Sequence, residues 1–261
     1  MNPYYFSSSE TPLYGVYHSP AQMGANEKAI LLCPPVGQDY IRTHRAMKFL
    51  ADQLSAGSCH VFRFDYFGTG DSSGDMQDAD ITVWQNNIRE AATELIDNSG
   101  ITEIDILAVR FGAALAASVD ISVKRFFMWD PVFDGRQYVE EIEKLHTDML
   151  HDNDRFSTQQ THDKNDGHVE LLGYMYSNNL IDAIRNTCPE NMTLTARQYY
   201  LVDSADSGSD QLMRHSILNG INKLETINGD MPASWSELQN LEIAYLPFRL
   251  INQVKEVILQ G

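Results

Sequence analysis

The sequence is poor in cysteine and in positive charge, and it has no long apolar run. Three cysteines, Cys33, Cys59 and Cys188, are scattered over 261 residues. Their odd number and the lack of any CxxC pair exclude a disulfide framework and a structural zinc site as readings of the sequence. Cys33 and Cys59 border apolar runs and read as small buried hydrophobes. Lysine and arginine number 19 against 36 aspartates and glutamates, for a net charge of −17. A chain this acidic repels nucleic acid and anionic membranes. No apolar run approaches the roughly 20 residues of a membrane span. The opening Met1-Asn2-Pro3-Tyr4-Tyr5 has neither the basic nor the apolar region of a signal peptide. A cytoplasmic location is the default expectation.

What is present is a chain with 43% apolar residues, enough for a sizeable core. Short apolar runs alternate with helical patterns. Ala29-Ile30-Leu31-Leu32-Cys33 reads as a buried strand stopped by Pro34-Pro35, and residues 43–54 follow with apolar positions at helical spacing. His60-Val61-Phe62-Arg63-Phe64 is a second strand, before an amphipathic helix marked by Trp84, Ile88, Ala91, Leu95 and Ile96. Ile104-Asp105-Ile106-Leu107-Ala108 is a third strand, residues 111–122 a small-residue helix, and Arg125-Phe126-Phe127-Met128-Trp129 a fourth strand. This alternation predicts βαβ units and a mostly parallel, doubly wound sheet. Residues 13–18 are expected to add an antiparallel edge strand.

The pattern breaks at residues 134–189, which are polar and rich in His, Asp and Asn. They are read as a cap inserted into a core of residues 1–133 and 190–261. Helices are expected at 138–150 and 168–184, with a mobile loop over 152–167 between them. The β/α pattern resumes with a strand at Gln198-Tyr199-Tyr200-Leu201-Val202, a helix near 211–218, a short strand near 224–227 and a C-terminal helix carrying Leu250, Val254, Val257 and Ile258.

The segment Ile106-Leu107-Ala108-Val109-Arg110-Phe111-Gly112-Ala113 lies where a strand turns sharply into a helix. That is the place of a nucleophile elbow, G-x-S-x-G, yet Ala108 replaces the first glycine and Arg110 the serine. A guanidinium stays protonated and cannot serve as a nucleophile. Together with Cys33-Pro34-Pro35-Val36-Gly37-Gln38-Asp39, Phe64-Asp65-Tyr66-Phe67-Gly68-Thr69-Gly70-Asp71 and Trp129-Asp130-Pro131-Val132, this segment resembles the exosortase-associated branch of the α/β-hydrolase superfamily. That branch is related to serine aminopeptidases and monoacylglycerol-lipase-like hydrolases. The resemblance is strongest over residues 31–135 and weak in the cap. It implies an α/β-hydrolase fold with a helical cap, and arginine at the elbow is a feature it shares with members of the branch.

The other triad members are sought in chain order, Ser…Asp…His. The acid should follow the strand ending at Val202, where Asp206 or Asp203 stands as a vestigial candidate; the alternative is a solvated loop rich in Asp and Ser. The histidine should follow the last short strand, but Ile227-Asn228-Gly229-Asp230-Met231-Pro232-Ala233-Ser234-Trp235 has none, and no histidine occurs after His215. Two of three members are absent, and either loss alone removes most of the catalytic power. The oxyanion hole depends on backbone N–H groups, here those of Val36 and Phe111. With Arg110 and the helix start beside it, the nucleophile site reads as an anion site. Arg42, His44 and Arg45 add a basic cluster at its mouth, unless they only cap a helix and pair with acids. An Arg110–Asp130 ion pair is the structural alternative for the arginine.

Other motifs are set aside. His146, His151, His162 and His168 suit no metal-ligand spacing. Gly68-Thr69-Gly70 lacks the Lys-Ser/Thr ending of a phosphate loop. Cys33 with His44 would make a thiol pair only if Cys33 were not buried at a strand end. No cofactor is expected. The functional expectation is a degenerate, non-hydrolytic protein that binds an acyl, carboxylate or phosphate-bearing small molecule. The resemblance places it as an accessory to polysaccharide or secondary-metabolite biosynthesis. An esterase or thioesterase with unconventional catalytic groups, and an interaction module with a vestigial pocket, remain open. The sequence leaves the oligomeric state unspecified.

Overall fold

The computed structural model describes residues 1–152, 164–204 and 224–260, apart from positions 23, 25, 166, 189, 191 and 192. Its strands are β1 (Asn2–Phe6), β2 (Leu13–His18), β3 (Lys28–Cys33), β4 (Cys59–Phe64), β5 (Asp105–Val109) and β6 (Ser122–Trp129), then β7 (Lys164–Asn165), β8 (His168–Leu171), β9 (Tyr174–Ser177), β10 (Thr195–Asp203) and β11 (Leu224–Asn228). The helices are α1 (Gln38–Ser55), α2 (Ile81–Ser99), α3 (Phe111–Ala117), α4 (Gly135–Leu150), α5 (Asn178–Arg185) and, at the C-terminal end, α6 (Phe248–Gln260).

The unbroken apolar runs mark strands covered on both faces, and that fixes the layers. Along β3, Ile30 and Leu32 pack with Met47, Leu50 and Leu54 of α1 and Leu250, Ile251 and Val254 of α6. Leu31 and Cys33, one residue out of phase, pack with Trp84, Ile88 and Leu95 of α2 and the alanines of α3. The eight-stranded sheet runs β1-β2-β4-β3-β5-β6-β10-β11, with β1 and β2 antiparallel and the rest parallel. The doubly wound parallel sheet expected from the sequence is present.

Three local expectations are corrected. Strand β2 is not the sheet edge, because β1 pairs outside it from Asn2↔Tyr17 to Phe6↔Leu13. Helix α3 stops at Ala117, where the Ser118 hydroxyl donates to the Ala114 carbonyl at 2.7 Å, and Ser122 already belongs to β6. The helix expected over 168–184 is a hairpin followed by a short helix. Leu172 (φ 53°) and Gly173 (φ 84°) form its two-residue turn, the geometry that suits the twist of paired strands. Only α5 is helical there, capped by the Ser177 hydroxyl, which accepts from Leu180 N–H at 3.1 Å. Lys164–Asn165 pairs with β8 inside the stretch expected to be a mobile loop; residues 153–163 of that stretch, and the helix expected near 211–218, lie outside the described residues.

The segment carrying α4, β7–β9 and α5 leaves after β6 and returns before β10. Its ends meet, since Gly135 N–H donates to the Thr187 carbonyl at 3.0 Å. A side chain at Gly135 would collide with the Ile184 carbonyl, so glycine is needed where α4 starts against the end of α5.

Candidate functional site

The C-terminal ends of β3, β5, β6, β10 and β11 gather along one edge of the sheet, the edge where open α/β sheets place their ligands. At the end of β5 the chain turns through Arg110, held at φ 52° and ψ −128°, into α3. A residue other than glycine at positive φ is costly and is kept only where its surroundings enforce it. Here they do: Arg110 N–H donates to the Trp129 carbonyl at 2.9 Å, and the Arg110 carbonyl accepts from Ala113 N–H at 3.0 Å. Gly112 lets α3 approach the loop after β3, because a Cβ there would strike the Pro34 carbonyl.

The Arg110 side chain is buried. Its Nε donates to Asp39 Oδ2 at 3.1 Å, and Glu141 Oε2 lies 4.0 Å from its terminal nitrogen. Burial alone would lower its pKa, but Asp39, Glu141, Tyr138 and Asp130 outweigh that and raise it, so the arginine stays charged. The guanidinium carbon also sits 4.9 Å from the Trp235 ring centroid, and that of Arg42 sits 4.7 Å from the same ring. Two cations thus share one indole. The indole N–H donates to Asp130 Oδ2 at 3.0 Å, while Oδ1 of Asp130 accepts from Ser204 N–H at 3.0 Å.

Solved structures share this architecture along almost the whole chain. Est1E from Butyrivibrio proteoclasticus, with ferulic acid bound, superposes with a TM-score of 0.65 at 15% identity, covering 98% of this chain and 98% of its own. DcsB in complex with its substrate analogue gives 0.66 at 11%, covering 98% and 97%. The α/β-hydrolase GrgF from Penicillium sp. sh18 gives 0.64 at 15%, covering 99% and 97%. The chain has the α/β-hydrolase fold. No protein-family model matches the sequence, and no curated protein matches it significantly.

In an α/β-hydrolase the end of β5 carries the nucleophile and the loop after the last strand carries the base. Here the end of β5 carries Arg110, and the loop after β11 brings Trp235 against it. The carboxylate that meets the final-loop side chain is Asp130 at the end of β6, not Asp203 at the end of β10. Asp203 instead offers its carbonyl to Gly229 N–H at 2.6 Å, and Asp206 lies outside the described residues. The direct hydrogen-bonded partner of Arg110 is Asp39 rather than Asp130.

The basic cluster read from the sequence is divided. Arg42 belongs to the site, donating to the carbonyls of Ala233 and Ser234. His44 and Arg45 are exposed on other faces of α1 and do not line the Arg110 cavity. Val36 and Phe111 are buried at the expected oxyanion positions, and Tyr138 stacks on Phe111 with ring centroids 5.3 Å apart. Cys33 is buried and its thiol pKa is pushed up by desolvation, which removes the thiol pair with His44. His146 Nδ1 accepts from Leu172 N–H at 3.0 Å. Among the described residues no group of three His, Cys, Asp or Glu could hold a metal ion.

The cavity over Arg110 is about 20 Å³, room for roughly one water. Its floor is polar, formed by Gln38, Asp39, Arg42 and Arg110; its roof includes Ile142 and Leu145 of α4 and Leu171, Leu172 and Tyr176 of the hairpin. Asp39, Glu141 and Trp235 were not singled out from the sequence. Trp235 had a signal, since it closes the loop searched for a histidine. Asp39 follows the oxyanion loop directly, but nothing in its spacing aims it at residue 110.

Proposed function

We propose that this α/β-hydrolase-fold chain is degenerate: a non-hydrolytic protein that binds an acyl, carboxylate or phosphate-bearing small molecule in the former active-site pocket. The observation that carries this reading is the row Arg110–Trp235–Asp130. The side chain at the nucleophile position is a permanent cation. The side chain at the base position offers an indole N–H that donates and cannot take a proton. The same row gives the pocket a use. Glu141, at 4.0 Å, is beyond hydrogen-bond length from the guanidinium, so a ligand anion can take up the bonds on that edge of Arg110. The apolar roof suits the remainder of an acyl ligand. A cavity this small admits such a ligand only when the roof moves, and residues 134–189 would then act as the cap. On the motif resemblance we place the chain in the exosortase-associated branch, with an accessory role in polysaccharide or secondary-metabolite biosynthesis.

The test joins a turnover panel of p-nitrophenyl and thioester substrates, with a fluorophosphonate label, to a thermal-shift screen of acyl and phosphopantetheine-like compounds. The expected result is no turnover, no labelling, and binding that Arg110→Lys weakens. Turnover by the purified chain would establish an unconventional esterase instead. Neither turnover nor binding would leave an interaction module with a vestigial pocket.

A further inference from the structure

The face of α1 that does not look at Arg110 builds a second polar depression. Asp39 and Arg42, three residues apart, point into the pocket described above. Tyr40, His44 and Lys48, spaced at i, i+4 and i+8, form a separate stripe, and this stripe walls a depression of about 200 Å³. Its other walls are Met1 and Pro3, Tyr14 and Val16 of β2, and Arg63 and Phe64 of β4, with Asp65 and Asp71 at one side. It therefore lies at the same sheet edge as the first pocket but on the other side of the first turns of α1.

Arg63 is the centre of it. The residue is half-buried, and its Nε donates to His18 Nε2 at 3.3 Å, which fixes the guanidinium plane. Among the described residues no carboxylate lies within ion-pair distance of this guanidinium. The carboxylates around it are engaged elsewhere. Asp65 accepts from the Tyr40 hydroxyl at 2.8 Å and from Asp71 N–H at 3.0 Å. Asp52 sits between Lys48 at 2.6 Å and His18 at 3.3 Å. Asp71 stays at the exposed rim. In a chain of net charge −17, the charged side chains lining this depression balance, with Arg63 and Lys48 against Asp65 and Asp71, and burial lowers the His44 pKa so that its ring favours the neutral form. The imidazole of His44 stacks on Tyr40, centroids 6.1 Å apart, so it is held over the opening.

We propose that this depression is a second binding site, for a small oxyanion: a phosphate or carboxylate group held by Arg63, with Lys48 and His44 closing over it. A planar guanidinium can hold either group through two parallel hydrogen bonds, and an ammonium beside it adds charge without fixing direction. Lys48 reaches the ligand by exchanging Asp52, an exposed pair that holds it weakly.

The experiment is calorimetric titration of the full chain with inorganic phosphate, a sugar phosphate and citrate, each against chloride at matched ionic strength. Saturable binding of at least one is expected. Arg63→Gln should weaken it about tenfold or more, the loss of one charge-assisted contact. The exposed pair of changes Lys48→Gln and His44→Gln should weaken it as well and keeps the test informative if Arg63→Gln fails to fold. Arg110→Lys should leave it unchanged, which separates this site from the pocket above. Preference for citrate over both phosphates would assign the site to carboxylates, and the reverse to phosphates. Absence of saturable binding over chloride, or binding that follows Arg110→Lys and ignores Lys48 and His44, would overturn the proposal.

Discussion

The indole N–H of Trp235 donates to Oδ2 of Asp130 at 3.0 Å, and this one hydrogen bond fixes an aromatic ring beside Arg110. On the reading proposed above, Asp130 would orient a histidine placed at position 235, as it now orients the indole. Arg110→Ser alone should therefore give no esterase turnover above background, since nothing takes the serine proton. Arg110→Ser with Trp235→His restores both a nucleophile and a ring nitrogen bonded to Asp130. It should exceed the single variant by about 10²-fold, the contribution of a positioned general base. The check is p-nitrophenyl acetate hydrolysis. Equal rates in the two variants would mean that position 235 is not where the base belongs.

A second expectation concerns what holds Arg110. Removing one partner of a buried pair strands the other charge and costs about 3–5 kcal/mol. Arg110→Ala and Asp39→Asn should each destabilise the chain, and the double variant should recover about 1–3 kcal/mol relative to the sum. The coupling of Arg110 to Asp130, measured by the same denaturation cycle, should be smaller. A coupling as large for Asp130 would relocate the pair.

The roof of the site depends on His146, which is buried on α4 and accepts from the strained turn at Leu172. His146→Leu changes the volume little and leaves Leu172 N–H without that acceptor, at a cost of about 1–3 kcal/mol. Limited proteolysis of the variant should cut the β8–β9 turn faster than in the parent chain. Unchanged cutting would mean that the turn is held by packing alone.

Acid sensitivity should come from His18. It is buried, and desolvation, reinforced by Arg63, lowers its pKa from 6.5 to about 4. Between those values the unfolded chain binds a proton that the folded chain excludes. Stability from this group is thus complete above about pH 6.5 and is lost as pH falls toward 4, on the order of 3 kcal/mol in all. Thermal melts across that window should show the loss, and His18→Gln should flatten it. An equally steep decline in His18→Gln would assign the acid limb to other groups.

Much of the fold was legible because parallel strands announce themselves. The runs at 29–33, 60–64, 104–108 and 125–129 each place apolar residues on both faces, and each became a sheet strand. Residues 168–185 were less legible. Residues 168–177 alternate without a strong apolar stripe, and a hairpin turn at Leu172-Gly173 lacks the Asn or Asp that advertises one. At the site, the sequence showed that Arg110 replaces the serine and that the histidine is missing, but not that Trp235 comes against Arg110. Arg110 and Arg42 were legible as charges against an acidic background. Their convergence on Trp235 was not, because residues 42, 110 and 235 meet only through the sheet. The division of Arg42 from His44 follows from helical periodicity alone and could have been read in advance.

The bond between Gly135 and Thr187 has a meaning for ancestry and engineering. A polypeptide excursion that departs and re-enters within one hydrogen bond leaves no gap when it is exchanged for another. Between these two residues the chain can lengthen, shorten or be replaced without the sheet having to re-register a single strand. The segment above Arg110 can thus drift far faster than the scaffold beneath it. One scaffold can in this way carry many unrelated roofs.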